Sequence, residues 1–372
     1  MEIYIQLSLF VIFQICFILQ LYYLIANHKR LANYKVDEVL PQVHIPVSVI
    51  IAARNEYENL RQNLPLILEQ QYPDFEVVVV NDCSYDQSEI ILEEYAKEHS
   101  NLKIVTITEH ERFKTGKKFA LTLGIKAAKN EHLLFTDADC QPASVNWITR
   151  MAAKFTGNAH IVLGYSPYIK TAGFLNNFIR FETVKTAISY LSAALKGDAY
   201  MGIGRNLSYT KTLFFANKGF ASHMHVMSGD DDLFVNQNAT HDNVAIEIHP
   251  EAHMWSDSKE GFGAYYKQKK RHMGVGKLYK NNHRRFLSID AISGFFFYIT
   301  LILCLVFKFD PMLMLGFFAL RLILQGWLYS KNFKKLRGAD LIWWLPFFDL
   351  IYYLYLNIFG LIGTFTKTTK WK

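Results

Sequence analysis

The sequence predicts an α/β domain on a mostly parallel sheet, held between membrane-spanning helices. Three observations carry this. Apolar residues make up 51% of the 372-residue chain and concentrate at its two ends. Between the ends, short β-branched runs alternate with helical patterns, as in a sheet covered on both faces. Each of the best runs stops at a polar cluster, and such sheets gather ligands at the carboxyl ends of their strands. The length allows roughly two ordinary domains. The apolar content excludes a disordered chain, and four Cys in so long a chain exclude a disulfide-stapled small domain. A formal charge of +7 is too small an excess to argue for nucleic acid.

Residues 3–26 carry no charge, and a run of about 20 apolar residues crosses the hydrocarbon core as a helix. A cleaved signal peptide needs a basic start and small residues at the cut. Here Glu2 precedes the run and Leu24 stands where a small residue is needed, so an uncleaved anchor is expected. His28, Lys29, Arg30 and Lys35 follow it, and basic flanks stay in the cytoplasm. Three more apolar segments, 291–307, 312–330 and 341–365, follow the middle of the chain. The loop with Lys331, Lys334, Lys335 and Arg337 should be cytoplasmic. The last segment would then end outside, yet the tail after it, 366–372, is basic. Either 341–365 spans against the rule, or it bends at Pro346 and lies as a re-entrant or interfacial element. Arg321 and Asp349 fall inside these segments, where charges usually find partners. A mutual ion pair and separate snorkelling are both open.

In the middle, 46–53 reads as a buried parallel strand ending at Arg54-Asn55-Glu56. A helix follows over 57–71, with Leu60, Leu64, Ile67 and Leu68 on one face. Residues 75–80 form a second strand, ending at Asn81-Asp82, and 87–98 a helix. A third strand covers 102–107, a helix 116–129, and a fourth strand 131–136 runs into Asp137-Ala138-Asp139. Residues 174–195 put Phe174, Phe178, Phe181, Val184, Ile188 and Leu191 on one helical face, punctuated by Glu182 and Lys185. That stripe suits a core helix or one lying at a membrane surface.

The clusters carry chemistry. Two carboxylates at the D-x-D spacing, Asp137 and Asp139, can share a ribose hydroxyl and a divalent cation, which would bridge nucleotide phosphates. Asp82 could accept from a base N–H or merely close an Asx turn. Lys114-Thr115-Gly116-Lys117-Lys118 is no P-loop, because the first Gly is absent and Lys118 replaces Ser/Thr. Its lysines could still meet phosphate as point charges. In Ser228-Gly229-Asp230-Asp231-Asp232 the adjacent carboxylates repel, which suits general-base tuning or a solvated helix start. Residues 261–289 hold eight Lys and Arg, among them Lys267, Lys270, Arg284 and Arg285, and lead into a membrane segment. Gln268 and Arg271 sit three apart there and could face one site.

Taken in order, these motifs resemble the family 2 glycosyltransferases, which have the GT-A fold. The matching stretches are Ala53-Arg54-Asn55-Glu56, Asp82-Cys83-Ser84-Tyr85-Asp86, Gly116-Lys117-Lys118-Phe119-Ala120-Leu121, Asp137-Ala138-Asp139, Gly202-Ile203-Gly204-Arg205-Asn206, Gly229-Asp230-Asp231 and Gln268-Lys269-Lys270-Arg271-His272. The resemblance implies that Ala53, Arg54, Asn55, Glu56, Asp82, Lys117 and Asp137 hold the nucleotide. It implies Asp139 on a Mg²⁺ or Mn²⁺ ion, Gln268 and Arg271 on the diphosphate, and Arg205, Asn206 and His272 near the acceptor. Asp231, beside Asp230, would be the catalytic base. His272 stands where processive synthases carry Trp, which favours addition of a single sugar over a polymer. The plan is similar to the ceramide glucosyltransferase-like branch.

The expected organisation is an anchor over 1–28, a linker over 29–44, a GT-A domain over 45–285 and a membrane domain over 286–372. The expected activity is inverting transfer of a hexose from a UDP-sugar to a lipid hydroxyl at the cytoplasmic face of the inner membrane. A processive synthase of the same family and a non-catalytic nucleotide-sugar-binding scaffold are the rival readings.

Overall fold

The computed structural model describes residues 2–109, 116–226 and 228–365. Lys114, Thr115 and the 366–372 tail fall outside these. The centre is one seven-stranded sheet in the order β3-β2-β1-β4-β7-β6-β8. Its strands are β1 (Val47–Ala53), β2 (Phe75–Asp82), β3 (Leu102–Ile107), β4 (His132–Asp137), β6 (Ile161–Leu163), β7 (Leu207–Thr210) and β8 (Val244–Ile246). The four strands read from the sequence form the parallel half. There Ile50, Val78, Val79 and Leu133 are shut from solvent on both faces. β7 joins β4 antiparallel, and β6 pairs with β7 antiparallel and with β8 in parallel. A small second sheet pairs β5 (Cys140–Pro142) with β9 (Met254–Ser256). Register brings the functional strand ends into line: Ala52 lies beside both Val80 and Asp137, and Ala53 beside Asn81.

Helices Tyr57–Leu68, Ser88–Glu98 and Lys117–Ala127 connect the parallel strands. The last of these lies close on the sheet through Gly124, where a Cβ would stand 2.8 Å from Ile50 and 2.9 Å from Val80. The chain thus forms an α/β domain with a largely parallel sheet, flanked by apolar helices at both ends.

Four stretches are long and apolar enough to cross a membrane: Ile3–Asn33, Asn281–Val306, Pro311–Lys335 and Ala339–Ile362. The first continues past the expected anchor end at residue 28. A π-helical turn at Tyr23–His28 passes directly into helix Lys29–Asn33, so extended chain begins only at Tyr34. The second starts at Asn281, before the expected boundary at residue 286, because the basic segment continues the same helix. Arg321 and Asp349 do pair, at 2.9 Å, and both are buried.

The segment 341–365 is a 3₁₀ turn, Ala339–Trp344, followed by helix Leu345–Phe365, with Pro346 at the junction. This helix packs on both the other apolar helices and the domain: Asn357 donates to the Ala291 carbonyl at 2.9 Å and Tyr353 to Gln20 at 2.8 Å. Phe348 meets Phe178, Tyr355 meets Tyr265, and Phe359 meets Tyr266. At 1.5 Å per residue, those contacts cover roughly 16 Å of its axis. Helix Phe174–Leu195 is buried on nearly all sides between the sheet and the apolar helices, which is why its apolar residues wrap around it.

Candidate functional site

The site forms where β1, β2 and β4 end. The residue just after β1, Asn55, has φ of 54°, and so does Cys83 just after β2. Single non-glycine residues in this region cost about 1–3 kcal/mol and cluster at ligand clamps. The surrounding turns hold them there. Ser84 accepts from the Asn55 N–H at 2.9 Å, and the Asn55 side chain accepts from the Tyr85 N–H at 2.9 Å. Ser88 accepts from the Glu56 N–H at 3.1 Å, and Asp86 from the Tyr57 N–H at 3.1 Å. Asn55, Ser84 and Asp86 therefore brace two turns against each other. Glu56 is half-buried there and accepts from Asn59 at 2.5 Å. Ala53 is fully buried.

Between these turns lies Asp82. It is 0% exposed, and neither carboxylate oxygen has a hydrogen-bond partner among the described residues. Burial raises its pKa, and the Arg54 guanidinium and the neighbouring Cys83 thiol only partly oppose this. A buried carboxylate without donors is costly, so this one suits a ligand that brings N–H groups.

One pocket is lined by Lys117, Asp137, Gly204, Asp230 and Asp231, among others. Lys117 opens helix Lys117–Ala127 and spans the pocket, 2.9 Å from Asp137 and 3.0 Å from Asp230. It joins the end of β4 to the acidic loop before helix Asp232–Asn238. Burial pushes Asp137 upward, but the Lys117 ammonium outweighs it and holds the carboxyl below the usual range, helped by Arg205 and Arg271. Lys117 itself is raised, because three aspartates outweigh its burial.

The three adjacent carboxylates settle into three states. Asp230 is paired with Lys117. Asp232 is pushed up to about 8 by burial and then by Asp231, and it accepts from Tyr279 at 2.8 Å. Asp231 is raised by burial and by Asp230, and it accepts from the N–H of Gly204 and of Asp232, each at 2.7 Å. A carboxylate has about four lone-pair positions, so Asp231 keeps acceptor capacity toward the pocket. Gly204 permits this approach, since a Cβ there would stand 3.3 Å from Asp231 Oδ2. Environments that separate neighbouring carboxyls mark out acid and base roles.

Around this centre stand the remaining candidates. Asp139 is half-exposed, 4.0 Å from Lys259, and accepts from the Cys140 thiol at 3.5 Å. Arg205 stacks on Tyr168 at 4.3 Å and donates to the Ser166 carbonyl at 3.1 Å, and its Nη1 is buried without a partner. Helix Phe262–Met273 carries Gln268, Arg271 and His272, and Arg271 stands near enough to Asp137 to lower its pKa. His272 has an exposed side chain, and the protein around it, then the charges of Lys269, Arg271, Arg205 and Lys117, lower its imidazole pKa. No cluster of three or more His, Cys, Asp or Glu side chains could hold a metal among the described residues.

Asn206 is placed differently from the other candidates. It is fully buried, accepts from Trp147 at 3.0 Å, and donates to the carbonyls of Tyr165 and Ala252, both at 2.8 Å. Its amide is used up by the scaffold. Lys118 also turns away from the pocket. It donates to the carbonyls of His223, Val226 and Ser228 and so ties down the acidic loop. No spacing in the sequence signals that grip, or the Lys117 bridge.

A family model described as glycosyl transferase family 2 matches residues 48–216, and one described as glycosyl transferase family group 2 matches residues 134–361. Among curated relatives, the glycosyltransferase AglE of Haloferax volcanii is 32% identical over 120 residues, covering 32% of this chain and 38% of that protein. A poly-beta-1,6-N-acetyl-D-glucosamine synthase of Staphylococcus epidermidis is 34% identical over 93 residues, covering 25% and 21%. The probable glycosyltransferase YdaM of Bacillus subtilis is 25% identical over 237 residues, covering 60% and 54%. The chain thus spans between about a fifth and half the length of these relatives. A solved mannosyltransferase from Pyrobaculum calidifontis, in complex with GDP-Man and Mn2+, superposes with a TM-score of 0.58 at 17% identity, covering 95% of this chain and 98% of that one. This likeness shows the shared fold. With one family model spanning more than half of its length, the chain belongs to glycosyltransferase family 2.

Proposed function

We propose that the protein is a membrane-bound, inverting glycosyltransferase that moves one hexose from a UDP-sugar to a lipid hydroxyl at the cytoplasmic face of the inner membrane. The observation that carries this is the cleft at the strand ends. It combines an unpartnered buried carboxylate, Asp82, with a cationic rim and a half-buried carboxylate whose pKa is raised, Asp231.

In this reading Asp82 accepts from the base, beside Arg54 and the turns of Ala53, Asn55 and Glu56. Uracil offers one N–H, and guanine a pair, so competition between UDP and GDP separates the two donors. Lys117, Arg205, Gln268 and Arg271 face the diphosphate. Asp139 would hold Mg²⁺ or Mn²⁺, and Asp137, paired with Lys117, would face the nucleotide. Such ions are commonly held by one or two carboxylates plus substrate phosphates, which suits a site without three protein ligands. When bound, the cation would neutralise charge on the diphosphate. Asp231 takes the acceptor proton as the acceptor oxygen bonds to the anomeric carbon. The bond from that carbon to the diphosphate breaks on the opposite side, so the anomeric centre inverts. UDP leaves with its new charge facing the Arg271 and Arg205 guanidiniums. Asn206 acts as a positioning residue, and His272 faces the acceptor side.

The four apolar stretches and helix Leu345–Phe365 support the lipid acceptor. In this reading that helix lies at the interface rather than across the bilayer, which leaves the basic tail on the cytoplasmic side. Mass spectrometry of membrane lipids with and without the protein tests the reading. A lipid heavier by one hexose, formed with release of UDP, is the expected result. A ladder of products means a processive synthase, and nucleotide binding without any UDP release means a scaffold.

A further inference from the structure

Two charged residues on helix Phe174–Leu195 have no role in the chemistry above. Glu182 and Lys185 lie three residues apart, hence on one face. Both are buried, and they reach in different directions. Lys185 inserts among the membrane helices and pairs with Asp349, which is 0% exposed. Asp349 also accepts from Arg321 at 2.9 Å, Tyr298 at 2.7 Å and Gln325 at 2.9 Å. Arg321 donates in turn to Gln20 at 2.9 Å, and Gln20 to Asp290 at 3.1 Å. One network therefore links all four apolar stretches to a helix of the catalytic domain. Glu182 faces the other way and accepts from Lys269 at 2.5 Å. Lys269 belongs to helix Phe262–Met273, between Gln268 and Arg271.

Helix Phe262–Met273 also meets helix Phe174–Leu195 through Tyr265 on Phe178. It packs on helix Leu345–Phe365 through Tyr265 on Tyr355 and Tyr266 on Phe359. That second helix is the one fixed by Asp349. Three helices are thus tied in a triangle, with Glu182–Lys269 and Lys185–Asp349 as its two ionic corners.

We propose that Glu182 and Lys185 are positioning residues: they tie the helix bearing Gln268, Arg271 and His272 to the membrane bundle and so set where it stands over the diphosphate cleft. Gln268 and Arg271 flank Lys269, so movement at the Glu182 contact is passed directly to them. The inference rests on the proposed transfer reaction for its consequence in rate, but not for its geometry.

The test uses the full chain in bilayer nanodiscs with Glu182→Gln, Lys269→Met, and the charge-swapped double variant Glu182→Lys/Lys269→Glu. Lys269 is the less buried partner, so its variant guards against misfolding of the first. Hydrogen exchange over 262–273 is read without substrate, together with kcat and KM for the donor. Exchange over 262–273 should rise in both single variants while the strands stay protected, and fall back in the swap. The transfer rate should drop by roughly ten- to a hundredfold in the single variants and recover with the swap. Unchanged exchange over 262–273 in folded single variants overturns the proposal, whether or not sugar transfer is detected. So does a folded swap that recovers neither protection nor rate. Absence of transfer by the unaltered protein counts against the reaction and leaves the exchange result to decide the strut.

Discussion

Replacing Asp231 by Asn tests the assignment of the base with little change of shape. Both Asp231 oxygens accept backbone N–H groups, from Gly204 and Asp232 at 2.7 Å each. Asn keeps one acceptor and turns an NH₂ toward the other donor. Loss of one such hydrogen bond in a half-buried place costs about 1–3 kcal/mol of stability, which a folded domain of this size can carry. The kinetic cost is larger. A positioned general base contributes roughly 10²–10⁴-fold, or about 3–5 kcal/mol of barrier. Donor binding should hardly change, because Asp82, Lys117 and Arg271 are untouched. The assay measures UDP release and product formation at saturating donor, with nucleotide affinity read separately by calorimetry. Expected is unaltered UDP affinity and at least a hundredfold loss of kcat, against a smaller loss for Asp230→Asn, since Asp230 is paired with Lys117. Transfer within a few-fold of the unaltered rate would refute the base assignment.

Other outcomes follow from the same geometry. Asp82→Asn removes a buried charge that Arg54 offsets only in part, so the ligand-free protein should lose no stability while UDP no longer raises its melting temperature. Transfer should show an acid limb above the ordinary Asp value of about 3.9. Asp231 must be ionised to act, and its raised pKa means activity is present above that value and lost as pH falls through it. Burial lowers His253 from 6.5 to about 3. The unfolded chain therefore takes up a proton first as pH falls, and stability should decline from about 6.5 toward about 3. His253→Gln, followed by denaturant titration across that range, should flatten the decline. Mn²⁺ titrated without nucleotide should bind weakly, because no three His, Cys, Asp or Glu ligands converge among the described residues, and should bind far more tightly once UDP is present.

Much of this was legible from residues alone because the parallel strands are buried on both faces. Runs such as 75–80 and 46–53 are then apolar except for Ser48 and Glu76, which bond to each other at 2.6 Å, and they end at polar turns that the fold places together. The short strands β5, β6, β8 and β9 carry no such signal. With three residues each, they are fixed by tertiary pairing rather than by a local pattern. D-x-D and Gly229-Asp230-Asp231 were readable as acids, but not the way Lys117 divides them, since that depends on the closeness of two distant segments. The resemblance put Asn206 near the acceptor. Only its three buried hydrogen bonds show that its capacity is spent. The conflict between 341–365 and its basic tail was visible, but contacts of that helix along the domain cannot be read from hydropathy. Lys185 has the Glu182 carboxylate three residues away in sequence, yet its partner in the fold is Asp349, far along the chain.

The account stands on acidic groups from separate segments enclosing a single nucleotide-sugar. A structure of the protein with UDP and Mn²⁺ tests it most directly. It should show the base against Asp82, the diphosphate between Asp139 and Arg271 with the ion among them, and Asp231 facing the side from which an acceptor would arrive. A nucleotide bound away from Asp82, or an ion held without either carboxylate of the D-x-D segment, would contradict it.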